Sequence, residues 1–214
     1  AREAKVRTQG GTLPTSGVGS SDKVISIPRR EPEAQVLETS SAPSSAEVEE
    51  KLRSFARGDE TIFRGFEDIR KTDVTFDPES FISGAKQAYE IIVTAFAEGN
   101  RKTLKDLLSE DVFDAFSQSI VDREKRGELV EQKFVGINKA DILEAELSEG
   151  VASVTVRFVS QLITATRNKA GELIEGDPKK ISDVTDVWTF HRDISSERAR
   201  SNPNWRLIST QEAH

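Results

Sequence analysis

Residues 149–158 read EGVASVTVRF, and their pattern decides the fold class. Ala152, Val154, Val156 and Phe158 alternate with Ser153, Thr155 and Arg157, the period of two expected of a half-buried strand, with Glu149-Gly150 as a turn signal ahead of them. Immediately upstream, 134–147 is also β-rich. Downstream, Lys169-Ala170-Gly171 and Gly176-Asp177-Pro178 mark reversals. Residues 184–192 then place Trp188 and Phe190 on one face and Thr189 and His191 on the other, and 205–210 form a last strand.

Before Gly127 the period is near 3.6. Asp77 caps a helix with Pro78 at its first position, and Phe81, Ala85, Ala88, Ile92 and Ala95 follow on one stripe, with Phe96 widening it and Gly99 ending it. Leu104, Leu107 and Leu108 make a short helix; Ser109 caps another, with Phe113, Phe116 and Ile120 facing inward. Helices followed by an antiparallel meander give an α+β fold, the helices stacked on one face of the sheet. A long twisted sheet around such helices makes a cone with an apolar cavity at its mouth. Phe81, Ala85, Ile92, Phe96, Trp188, Phe190 and Trp205 are the expected core.

Two shorter helices precede these. Residues 47–57 carry Val48, Leu52 and Phe55; Gly58 interrupts, Asp59 caps, and Ile62, Phe63, Phe66 and Ile69 form one narrow stripe. Such a stripe either packs on its own domain or offers a shallow apolar contact to a membrane or partner, with Arg57, Arg64, Arg70 and Lys71 around it for lipid headgroups. Residues 1–45 hold 20 Ser, Thr, Gly or Pro and no aromatic, the composition of a disordered linker, mildly basic to neutral. The expected organisation is thus a linker over 1–45, peripheral amphipathic helices over 46–71 and the cone over 72–214.

The chain has 214 residues, net charge -7 and no Cys, which excludes disulfides, a thiol nucleophile and Cys-ligated metal. Two histidines leave little for a His-based metal site, so no metal and no cofactor are expected. From Ala46 onward there are 24 basic against 32 acidic residues, which argues against nucleic acid as a partner. No window is long and apolar enough to span a bilayer. A chain that starts at Ala1 and contains no Met reads as a piece without its original N-terminus, so any targeting or anchoring segment is expected to lie upstream of it.

Catalysis finds almost no support. His191 and Asp193 share a strand face, but no nucleophile is signalled beside them. Asp183 and Asp186 point to opposite faces, and Asp186, on the Trp188 side, is expected to be solvated at the sheet edge. The glycines near position 10 and at 17 and 19 do not lie between a strand and a helix and fail as a phosphate loop.

Three stretches carry a family resemblance. They are 81–89, FISGAKQAY; 95–100, AFAEGN, with Leu104, Leu107 and Leu108; and 187–192, VWTFHR, followed by 202–207, NPNWRL. Their order over about residues 58–212 resembles the C-terminal domain of the family of subunit forty-four of the mitochondrial inner-membrane translocase, including its α-proteobacterial relatives. The Trp-x-Phe-x-Arg strand followed by Pro-Asn-Trp-x-Leu is the most specific part.

The resemblance implies a nuclear transport factor two-like cone and a non-enzymatic adaptor. It implies peripheral attachment at the inner membrane, on the cytoplasmic face in a bacterium or the matrix face in a mitochondrion. It also implies contact with anionic, cardiolipin-type lipid through the leading helices and an apolar pocket. Membrane protein machinery and the seventy-kilodalton heat-shock chaperone are the implied protein partners. The charged chaperone-binding region of the mitochondrial protein has no counterpart here. A mitochondrial ribosomal protein shares the domain, but the acidic balance gives no support for RNA binding. The alternative is a small-molecule-binding or catalytic member of the cone-fold superfamily, which needs a carboxylate, Tyr or His inside the cone; Tyr89 is the only tyrosine.

Overall fold

The computed structural model describes residues 44–212. The expected linker over 1–45 lies outside the described residues except for its last two. Ser44 opens α1 (Ser45–Ala56) with a capping box, its hydroxyl accepting from the Glu47 amide while the Glu47 carboxylate accepts from the Ser44 amide. The reversal after α1 uses two left-handed residues, Arg57 at φ 53° and Gly58 at φ 84°. Asp59 then caps α2 (Glu60–Thr72) by accepting from the Thr61 and Ile62 amides.

Asp77 caps α3 (Pro78–Glu98), with Pro78 where no amide is needed. Three further helices follow: α4 (Arg101–Leu107), α5 (Glu110–Arg126) and the single turn α6 (Glu197–Arg200).

Five antiparallel strands make one sheet: β1 (Leu129–Ser148), β2 (Val151–Arg167), β3 (Leu173–Gly176), β4 (Ser182–Asp193) and β5 (Arg206–Glu212). Their order is β1-β2-β4-β5, with β3 pairing the distal end of β2. The β1–β2 turn has positive φ at both Glu149 and Gly150, the geometry whose twist suits a two-residue hairpin. Register shifts in β1 between Phe134/Gly136, Ile137/Lys139 and Ile142/Glu144 bend the edge strand, and the sheet curves without closing. The result is α+β, with six helices among the described residues.

The core forms where α2 and α3 meet the sheet. Val154, Val156 and Phe158 of β2 pair with Phe190, Trp188 and Asp186 of β4 and lie fully buried on the helix side. An aromatic chain runs Phe66, Phe76, Phe81, Phe190, Trp188, with successive centroids 5.9–6.4 Å apart. Phe81, Ala85, Ile92, Trp188 and Phe190 are buried, and Phe96 and Trp205 are half-buried against them.

The leading helices are not peripheral. Leu52 and Ala56 of α1 and the whole α2 stripe enter the same core, and both helices belong to one compact unit with the remaining described residues. Gly65 shows how close the approach is, since a Cβ there would stand 1.9 Å from the Ala145 carbonyl oxygen on β1.

Candidate functional site

A cavity of about 550 Å³ opens between the first half of α3, the α2–α3 loop and the β4–β5 connection. Its apolar lining comes from Phe76 in the loop, Phe81, Ala85 and Ala88 on α3, Phe190 on β4 and Trp205. Small residues create the room: at Gly84 an added Cβ would meet no atom within 4 Å. Trp205 stands edge-on to Phe81, with centroids 4.8 Å apart. Asp77, Ser80 and Asp106 supply polar atoms along one wall, and Arg192 and Arg200 along another.

Arg192 fixes that second wall. Its Nη2 donates to Asp73 Oδ2 at 2.8 Å and to the Arg200 carbonyl at 3.0 Å, and its Nε donates to the Asn202 carbonyl at 3.0 Å. One buried guanidinium therefore ties the end of α2 to β4 and to the β4–β5 connection. Burial by itself pushes the Asp73 carboxyl up. Hydrogen bonds from the Thr75 hydroxyl and amide, together with Arg192, outweigh it and hold Asp73 below the usual carboxylate range.

On the far side of Arg192 lies a second cavity of about 430 Å³, lined by polar groups of the same connection: Ser196, Arg198 and Asn202 beside Asp193. Arg192 and Asn204 line both cavities.

The residues expected to contact a membrane or partner fall elsewhere, while Phe81, Ala85, Phe190 and Trp205 of the expected core line the first cavity. Ile62, Phe63, Phe66 and Ile69, expected as a shallow membrane or partner contact, are 6%, 4%, 0% and 1% exposed and face the fold's own core. That expectation is corrected: an amphipathic stripe on a helix resting against β1 is consumed by the sheet. The cations around it are engaged too. Arg64 pairs with Glu60, Lys71 pairs with Asp68, Arg70 donates to the Phe76 carbonyl, and Arg57 reaches Asp141 on β1.

Asp186 is half-buried and accepts from the Tyr89 hydroxyl at 2.6 Å, so it is not simply solvated at the sheet edge. Ser160 Oγ lies 2.8 Å from the same hydroxyl, and the Tyr89 ring packs 4.6 Å from both Phe158 and Trp188. Burial and then the Asp186 carboxylate drive the Tyr89 hydroxyl well above its ordinary pKa. It lines neither cavity. Asp193 accepts from the Ser195 amide at 2.9 Å and hydroxyl at 2.7 Å. His191 is pushed down by burial and by Arg206, against the smaller pull of Asp193.

Arg198 and Arg200, in the β4–β5 connection, belong to no sequence motif. The available signal was a charge bias: residues 191–206 hold Arg192, Arg198, Arg200 and Arg206 against Asp193 and Glu197, inside an acidic domain.

No described helix is long and apolar enough to cross a membrane. The family model of the Tim44-like domain matches residues 63–212. The rat mitochondrial import inner membrane translocase subunit TIM44 is 27% identical over 142 residues, 66% of this chain and 31% of that protein. The Arabidopsis thaliana subunit TIM44-1 is 22% identical over 175 residues, 81% of this chain and 37% of that one. The Drosophila melanogaster large ribosomal subunit protein mL45 is 25% identical over 145 residues, 65% and 38% of the two chains. Among solved structures, the intermembrane space region of the chloroplast protein ARC6 aligns with TM-score 0.41 and 9% identity, over 61% of this chain and 95% of that one. The chain thus spans about a third of the length of the curated relatives it matches. With the family model covering the fold from within α2 to the last strand, the chain belongs to the Tim44-like domain family.

Proposed function

We propose that this domain is a non-enzymatic adaptor working at an inner-membrane surface, where it joins protein-transport or assembly machinery to the bilayer through an anionic, cardiolipin-type lipid. The observation that carries the reading is the 550 Å³ cavity with an aromatic floor and arginines on one wall, in a family whose matched relatives include inner-membrane translocase subunits. A single acyl chain suits such a space, and binding one would bury apolar area at roughly 25 cal/mol per Å². The buried α2 stripe makes no contribution, so the lipid contact moves from α2 to the cavity. Recruitment of the seventy-kilodalton chaperone belongs to the same reading as a protein contact, to be sought by crosslinking from intact membranes.

Gly84→Leu tests the cavity, because its side chain enters open space. The variant should keep its thermal midpoint and float with cardiolipin vesicles several-fold less than the unaltered protein. Equal flotation of the two proteins would remove the cavity as the lipid contact.

A further inference from the structure

We propose that the β4–β5 connection holds an oxyanion site, formed by Arg198 and Arg200 beside Arg192, that takes the phosphate-type head of the ligand whose apolar chain occupies the neighbouring cavity. The inference rests on the lipid reading above for its tail, and on independent observations for its head.

The first observation is charge. The domain from Ala46 carries 24 basic and 32 acidic residues, yet 191–206 carries four arginines against two carboxylates. Among the described residues, Arg198, Arg200 and Arg206 lie in no ion pair. Arg192 is paired with Asp73, and the Asp193 carboxylate is already held by Ser195. With Arg192 neutralised by Asp73, three arginines stand against the carboxylates of Asp193 and Glu197, a local excess of one positive charge in an acidic molecule.

The second observation is position. Arg200 lines the apolar cavity and Arg198 lines the polar one, while Arg192 and Asn204 form the wall between them. A chain in the first space thus brings its head within reach of the second. Arg200 spends one Nη on the Ile194 carbonyl, and Arg198 is exposed. Their remaining guanidinium donors match the planar, multidentate demand of a phosphate oxygen pair.

The test uses the full chain and three probes: dodecyl phosphate and dodecyl maltoside, both below their aggregation thresholds, and inorganic phosphate. Tryptophan fluorescence, sensitive through Trp205 in the cavity lining, follows the tails, and calorimetry follows inorganic phosphate. Dodecyl phosphate should bind about tenfold more tightly than dodecyl maltoside, and Arg198→Gln/Arg200→Gln should erase the preference while dodecyl maltoside still binds. Arg198→Gln alone, at a side chain without a partner, should remove part of it and guards against a shift of the connection in the double variant. If inorganic phosphate binds as tightly as dodecyl phosphate and the double variant weakens both, the site is upheld as one for free phosphate, and the tail reading falls. Equal affinity for the two amphiphiles, or a preference untouched by the double variant, overturns the oxyanion site and leaves the cavity reading standing. Binding of none of the three probes overturns both.

Discussion

Gly65→Ala should destabilise the domain although it replaces the poorest ordinary helix former with the best. In α2 the added Cβ would stand 1.9 Å from the Ala145 oxygen and 2.5 Å from its carbonyl carbon, backbone atoms of β1 that cannot rotate aside. Relief requires α2 to retreat by about 1.5 Å, enough to open a gap under Ile62, Phe63, Phe66 and Ile69. Those four side chains are each worth ~1.5–3 kcal/mol when buried. Neighbouring atoms close part of that retreat, and a residual gap of ~0.5–1 Å forfeits about a quarter to a half of their contacts. The helix gains ~1 kcal/mol from Ala. The net loss is roughly 2–4 kcal/mol, in the range of overpacked cores. At about 2–4 °C per kcal/mol for a chain of this size, the thermal midpoint should fall roughly 5–15 °C by calorimetry. Gly84→Ala is the matched control, since it lies in α3 facing open space. It should raise stability by ~0.5–1 kcal/mol. A Gly65→Ala midpoint equal to or above that of the unaltered protein would refute the close approach of α2 to β1.

Removing Asp73 should cost roughly 3–5 kcal/mol in urea unfolding, because Arg192 is left buried without its carboxylate. The pH sign follows from the depressed Asp73 pKa: its contribution is complete above the ordinary carboxylate range and is lost as pH falls through its lower folded value. Acid lability below pH ~4 should therefore be shallower in Asp73→Asn, and identical acid slopes would sink the assignment. Trp188→Ala should cost roughly 3–5 kcal/mol, and half-buried Trp205→Ala less; an unchanged midpoint in Trp188→Ala would make that ring a recognition surface instead of core.

Much of the fold was legible because its signals are local. Asp59, Asp77 and Ser109 all cap helices by side-chain acceptance from the first turn, and Gly99 and Gly127 take the positive φ that stops α3 and α5. The alternation of 152–158 places Val154, Val156 and Phe158 on the buried face. What stayed hidden depends on distant partners. β3 is four exposed residues paired only with the far end of β2, too short for a period to show. β1 begins at Leu129, several residues before its β-rich run, and its register shifts break the alternation that would have marked it.

The site was less legible than the fold, for a reason visible in α2. A stripe such as Ile62, Phe63, Phe66 and Ile69 states that one face of a helix leaves water, and it does not state for what. The deciding residue is Gly65, in the middle of the stripe, which carries no hydrophobic signal and acquires meaning only once Ala145 is known to face it. The converse holds at the β4–β5 connection. Arg192, Arg198 and Arg200 read as ordinary surface charge along the chain. Folding buries the first against Asp73, sets the third at the rim of the apolar cavity, and leaves the second lining the polar one. Three residues of one type thus acquire three tasks from burial alone, and the apolar and cationic halves of the candidate site meet because Asp73, at the end of the helix first read as a membrane contact, holds Arg192 between them.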